Sequence, residues 1–312
     1  MKTPLSCALL PSGALLIACS SHEERCEGLA RRKGNWTPSA VVLFHYDDEN
    51  PKREQRHKSL LKAFGACEPI SLQFTEGDPA KSVSDNVAVL DQLLAENASR
   101  PLVLDMSVFT KRHLLMTLRW LDDRGCWERL HVIYSEPEDY VVSEHVPLSF
   151  GIAAIHQIPG FCATPDISRP LHLVVFLGYE GDRALAVYEY IQPMITTLMI
   201  ACPPYRPEWE GRTENFNRDI IKLVGQDNVL RVDAVDPVAS AGAMAQCFRD
   251  GTGRAPHGKI ICPLGTKPQA LGVYLFVRDC LEPPAIVYAS PMRHNHEFYS
   301  KGIGTTWVLK QP

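Results

Sequence analysis

The chain has 312 residues, 45% hydrophobic and 22% charged, an ordinary globular balance on a length that suits two domains of about 150 residues better than one. Its formal net charge of −4 excludes a broad basic face for duplex nucleic acid, and no apolar run reaches the roughly 18 residues of a membrane span. Residues 14–19 read as the first strand. Glu23, Glu24 and Arg25 follow at the start of a helix, where acids suit the positive end of the dipole. Leu15-Leu-Ile-Ala-Cys19-Ser-Ser also looks like a bacterial lipoprotein cleavage box. Pro11-Ser12-Gly13 interrupts its apolar stretch and only Lys2 supplies charge, so a cytoplasmic location is expected. The 10 cysteines, none in a Cys-x-x-Cys, read as reduced and mostly buried thiols.

Residues 39–44 predict a second strand, then a polar stretch through His57 and a helix ending near Gly65. Residues 70–74 alternate as a strand should, and Asp78-Pro79 leads to a helix over residues 85–96. From Leu102 an apolar run reaches Thr110-Lys111 and enters a helical segment, Arg112–Trp120; His131-Val-Ile-Tyr134 closes a fifth strand. Ser149-Phe-Gly151-Ile152 opens one further apolar run. Gly160–Pro170, with its Pro and Gly residues, reads as a linker.

Beyond the linker the same landmarks return in the same order. Leu173 begins an apolar run that ends at Asp182-Arg183, as the run from Leu15 ends at Glu24-Arg25. Residues 196–201 and 229–233 stand for the second and third strands, with Asp236-Pro237 echoing Asp78-Pro79. Lys259–Lys267 carries Gly265-Thr266-Lys267 into a helix with Pro268 near its start, and Tyr288 matches Tyr134. Ser300-Lys-Gly302-Ile303 closes the series as Ser149-Phe-Gly151-Ile152 does. Such repetition predicts an internal duplication into two tandem Rossmann-like domains, residues 1–160 and 165–312. A solenoid would repeat every 20–50 residues or so. Each would be an α/β fold with a mainly parallel sheet, helices on both faces and a ligand edge at the carboxyl ends of the strands.

The Gly-Thr-Lys turn is the sharpest chemical signal. A strand delivered onto a helix N-terminus offers backbone N–H groups and a positive dipole end to an anion; Gly265 lets the backbone approach closely and Lys267 adds a point charge. Candidate ligand-binding residues are therefore Glu24, Arg25, Thr110, Lys111, Asp182, Arg183, Gly265, Thr266 and Lys267. Neither a Gly-x-x-x-x-Gly-Lys phosphate loop nor a Gly-x-Gly-x-x-Gly fingerprint is present, so ATPase and dinucleotide chemistry lose support and no cofactor is expected. Gly251-Thr-Gly-Arg254 reads as a connector. His294-Asn-His296 lacks the companions of a metal site, and no metal is expected.

The Gly265-Thr266-Lys267 turn, its Thr110-Lys111 twin and the duplicated pattern resemble the CRISPR-associated Rossmann-fold sensors of antiviral defence. In that family such turns help hold the phosphates of cyclic oligoadenylates, usually across a dimer, and here the two halves can pair as a pseudo-dimer. Phe109 stands where the family has Gly. The resemblance implies a nucleotide or cyclic-oligonucleotide sensor working with a separate effector protein. Two alternatives stay open: a metal-independent phosphodiesterase of the ring-nuclease sort, in which a lysine or arginine steadies the developing charge, and a non-catalytic scaffold.

Overall fold

The computed structural model describes residues 2–75, 77–141, 148–165, 168–248, 258–295 and 299–310. The strands run β1 (Thr3–Pro4), β2 (Leu15–Cys19), β3 (Ala40–Tyr46), β4 (Ile70–Phe74), β5 (Leu102–Asp105), β6 (Leu130–Ser135) and β7 (Asp139–Tyr140). They continue with β8 (Ser149–Gln157), β9 (Leu171–Phe176), β10 (Ile195–Ala201), β11 (Val229–Val232), β12 (Gly258–Pro263), β13 (Ala285–His294), β14 (Ser300–Lys301) and β15 (Thr306–Lys310). The α-helices are α1 (Gly28–Arg32), α2 (Pro51–Ala63), α3 (Pro79–Glu96), α4 (Lys111–Asp123), α5 (Gly181–Ile191), α6 (Trp209–Phe216), α7 (Arg218–Val224), α8 (Pro237–Cys247) and α9 (Lys267–Arg278).

One unit comprises Met1–Val141 and Tyr299–Pro312, the other Val142–Phe298. In the first, seven strands lie in the order β1-β15-β6-β5-β2-β3-β4, parallel throughout from β6 to β4. In the second, six strands lie in the order β11-β10-β9-β12-β13-β8, parallel except for β8 against β13. Both are Rossmann-like domains, and apart from β1 the two sheets share one strand order. The central strands explain why: β2 is Leu-Leu-Ile-Ala-Cys, β5 begins Leu-Val-Leu, and every residue of both is buried. Helices cover both faces of such a sheet, so its strands carry no polar alternation.

The units divide the chain differently from the expected 1–160 and 165–312. The apolar run after the fifth strand of each half completes the other unit's sheet: β15 pairs antiparallel with β6, and β8 with β13. Sequence proximity suggests a partner for such a run but does not dictate one. Gly160–Pro170 is accordingly no boundary. Phe161 is buried, its carbonyl accepts from Ile286 N at 3.3 Å, and its N–H donates to Ile158 O at 2.9 Å. A second difference is at α3, which begins at Pro79 rather than 85 because Asp78 caps it, accepting from Lys81 N at 3.0 Å. Gly251–Arg254 and His296 lie outside the described residues. Four of the cysteines are buried, Cys19, Cys26, Cys126 and Cys262, fewer than expected, and none is in a disulfide.

Within the first unit Val308 and Leu309 of β15 are buried, each worth roughly 1.5–3 kcal/mol. Truncation after residue 298 should therefore strip amide-exchange protection from β6 and β5 while β9 and β12 keep theirs. Loss confined to β12 and β13 would contradict this strand assignment.

Candidate functional site

At the end of β12, Leu264, Gly265 and Thr266 turn the chain into α9. Thr266 is the N-cap in a capping box: its Oγ1 accepts from Gln269 N at 3.2 Å, and Gln269 Oε1 accepts from Thr266 N at 2.9 Å. The Thr266 hydroxyl donates to Ala234 O at 2.6 Å, tying the turn to the loop after β11. Gly265 owes its identity to this box. A Cβ there would lie 2.2 Å from Gln269 Oε1 and 3.1 Å from Phe176 Cβ.

The twin turn in the first unit is built otherwise. Thr110 caps α4, but its N–H donates to Tyr46 Oη at 2.6 Å, and its Oγ1 lies 2.7 Å from His113 Nδ1. His113, in the place of Gln269, is drawn toward α3, with Nε2 3.2 Å from Ser82 Oγ and its ring stacked on Phe74 at 4.3 Å. That leaves room for Phe109, fully buried against Phe44 and Phe74 at ring distances of 6.0 and 5.7 Å. The Gly-to-Phe difference is thus a change of capping partner.

The two turns also differ in backbone donors. Pro268 has no N–H and the Gln269 N–H goes to Thr266, whereas α4 has Arg112, a residue with an N–H, at the position of Pro268. Lys111 and Lys267 are half-buried first residues of their helices.

The arginines expected at the ligand edge are at the expected turns but point inward. Arg25 is fully buried, its Nε and Nη2 donating to Glu23 Oε2 and Oε1 at 2.8 and 2.9 Å and its Nη1 to Tyr134 Oη at 3.1 Å. Arg183, 3% exposed, donates from Nη1 to Glu180 Oε2 at 2.5 Å and from Nε to Ala289 O at 2.9 Å, with its guanidinium 4.9 Å from the Tyr288 ring centre. Burial works against the Arg25 charge, yet Glu23, with Tyr140, Tyr134 and Tyr299 around it, holds its pKa well above the ordinary arginine value. Tyr288 and Glu180 likewise outweigh burial at Arg183. Such groups are committed to the fold, and a ligand would meet neither. Glu24 is half-buried and Asp182 exposed, each in the first turn after its strand.

Because β2 pairs with β5 and β9 with β12, each acid–arginine turn lies beside a lysine turn within its own unit. Sequence reasoning missed the residues that brace them. Ser300 Oγ donates to Glu23 Oε2 at 2.6 Å, and Ser149 Oγ donates to Glu180 Oε1, so the first residue of β14 or β8 holds the carboxylate that holds the arginine. Asp105, at the end of β5, was missed too. Burial pushes its pKa from 3.8 to about 6 against the opposing pull of Ser107, whose N–H and hydroxyl both donate to Oδ1, and of Arg25. β12 carries no acid. Among the described residues no group of three His, Cys, Asp or Glu side chains is placed to hold a metal.

No protein-family model matches the chain, and no curated protein does. Among solved structures, a type III CRISPR defence DNA nuclease activated by cyclic oligoadenylate is similar at a TM-score of 0.52 and 12% identity, over 88% of this chain and 65% of that one. The chain thus spans about two thirds of the length of that nuclease, and likeness at this identity is one of fold. The cytoplasmic domain of a prokaryotic cation chloride cotransporter aligns over 92% of this chain and 99% of that one at 11% identity, with a TM-score of only 0.25.

A carboxyl whose folded pKa is raised stabilises the fold when protonated. The contribution of Asp105 is therefore full below 3.8 and lost as pH rises through about 6. Asp105→Asn keeps an acceptor for Ser107 and should raise stability at neutral pH by up to about 3 kcal/mol, the gap closing near pH 4. Thermal melts of both proteins across that range check it; a constant offset would show that Asp105 does not titrate there.

Proposed function

We propose that this chain is a sensor module of a prokaryotic defence system, binding a nucleotide or cyclic oligonucleotide at the turns before α4 and α9 and acting on a separate effector protein. The observation that carries the reading is the Gly265-Thr266-Lys267 turn. It stands at the carboxyl edge of a Rossmann-like sheet, internally capped, with Lys267 as the first residue of α9. Ligands of open α/β sheets bind at that edge, and helix N-termini there favour phosphate. The fold shared with a nuclease described as activated by cyclic oligoadenylate supports the same ligand class. We take the common strand order and the paired turns as the mark of an internal duplication, with Glu24, Thr110, Lys111, Asp182, Gly265, Thr266 and Lys267 as the ligand-facing set. No helix among the described residues is long and apolar enough to cross a membrane. A cytoplasmic location fits the reading.

Purified protein mixed with cyclic oligoadenylates or mononucleotides, followed by melting temperature and by product formation, tests the proposal. A shift without turnover is expected; turnover would instead support a phosphodiesterase, and neither would leave a scaffold.

Charge-assisted hydrogen bonds contribute roughly 1.5–3 kcal/mol, so Lys267→Ala should weaken an anionic ligand about ten- to a hundredfold. Its melting temperature should hardly move, because a lysine at a helix N-terminus sits against the dipole. Lys111→Ala should weaken binding less, because Phe109 fills the place of Gly265 at the first turn. A marked drop in melting temperature for Lys267→Ala with ligand shifts intact would make that lysine structural.

A further inference from the structure

We infer that the first unit carries a base-binding corner formed by Tyr299, Tyr140 and His22, which takes a purine or similar flat heterocycle of the nucleotide ligand. The inference rests on the sensor reading above and concerns the part of the ligand that the lysine turns do not address.

The placement comes from strand order. β7 and β14 form a small antiparallel ladder beyond β6, with Tyr140 paired to Ser300 and Val141 N donating to Tyr299 O at 3.2 Å. His22 follows β2. Ser300, next to Tyr299, donates to Glu23, next to His22, at 2.6 Å, so the corner lies at the turn after β2, beside the turn after the neighbouring strand β5. Neighbouring strands are about 4.8 Å apart, so a nucleotide held at the Thr110-Lys111 turn would have its base within reach of the turn after β2.

The rings themselves make a corner. Tyr299 meets His22 at 5.8 Å with planes at 83°, and Tyr140 at 6.2 Å with planes at 75°. A flat base can stack on one such ring while its edge meets the perpendicular neighbour, and stacking tolerates any base because every base has a π-face. All three side chains are half-buried, neither sealed in the core nor fully in solvent. Glu138 and Asp139 are exposed beside them, with Lys301 opposite Asp139. Two carboxylates against one lysine disfavour a phosphate there and offer acceptors to an exocyclic amino group.

The second unit lacks the corner at the same stations. His294 pairs with Ser149 as Tyr140 pairs with Ser300, but the residue before Ser149 is Leu148, buried at 5% exposure. Tyr179, preceding Glu180 as His22 precedes Glu23, packs instead against Trp209 and Phe216 at 6.2 and 6.0 Å. The corner therefore singles out the first unit.

Equilibrium binding of cyclic and linear oligoadenylates to wild type, Tyr299→Ala, Tyr140→Ala and Tyr299→Phe tests this, with inorganic phosphate as the probe that has no base. Tyr299→Ala and Tyr140→Ala should each weaken the adenylates about ten- to a hundredfold, whereas Tyr299→Phe keeps the stacking face and stays within about threefold. Phosphate competition should be unchanged in all three. Quenching of wild-type tyrosine fluorescence on ligand addition provides a reading independent of whether an alanine variant folds. Wild-type affinity in both alanine variants, or no quenching on binding, overturns the corner and leaves the sensor reading standing. Failure of wild type to bind any adenylate overturns both.

Discussion

Two arginines removed from water govern both carboxyl edges. The penalty for burying a guanidinium runs to several kcal/mol, so Arg25 and Arg183 are tolerable only because Glu23 and Glu180 meet them at hydrogen-bond distance. Those glutamates are aimed in turn by Ser300 and Ser149. Removing any one partner leaves a charge buried without compensation, a loss of about 3–5 kcal/mol where such pairs have been broken. The first βα turn, the fifth strand and the start of β14 or β8 are thereby locked together in each unit. In the proposed function, a ligand arriving at that edge would find its neighbours already in place, which spares the ordering cost of binding.

Much of the fold is legible in the sequence alone. Strands such as Leu15–Cys19 and Leu173–Phe176 declare themselves as continuous apolar runs of the kind only a parallel sheet buries on both faces. Thr110 and Thr266 announce the starts of α4 and α9 by their position before an apolar-periodic segment. What could not be read is direction. An acid followed by an arginine spells the same letters whether the pair faces a ligand or the core, and Arg25 and Arg183 face the core. Pairing of the last strands was equally hidden, since Ser149–Gln157 and Thr306–Lys310 have patterns that fit either sheet. Asp105 escaped because a lone acid ending a short apolar run reads as a solvent-facing strand terminus.

Gly265 carries a different meaning from the one its place in the sequence suggests. A glycine before a helix in a phosphate-binding context suggests close approach of an anion. Here the close neighbour is Gln269 from the same turn, and the first unit reaches an equally capped helix with Phe109 by using Tyr46 and His113. Equivalent stations in the two sheets thus keep the cap and vary its partner.

The route of the chain through the first sheet also orders events in time. Ser135 and Thr306 share a hydrogen bond of 2.8 Å across 171 residues of sequence, whereas the second unit is one uninterrupted stretch, Val142–Phe298. Pairing over such a separation must wait for the intervening chain and slows folding. During synthesis, which proceeds from the N-terminus, the second sheet has every strand in hand while the first still shows an open edge on β6. The unit that starts the chain is the one finished last, and until β15 arrives that edge stays open to pairing with any other strand that reaches it.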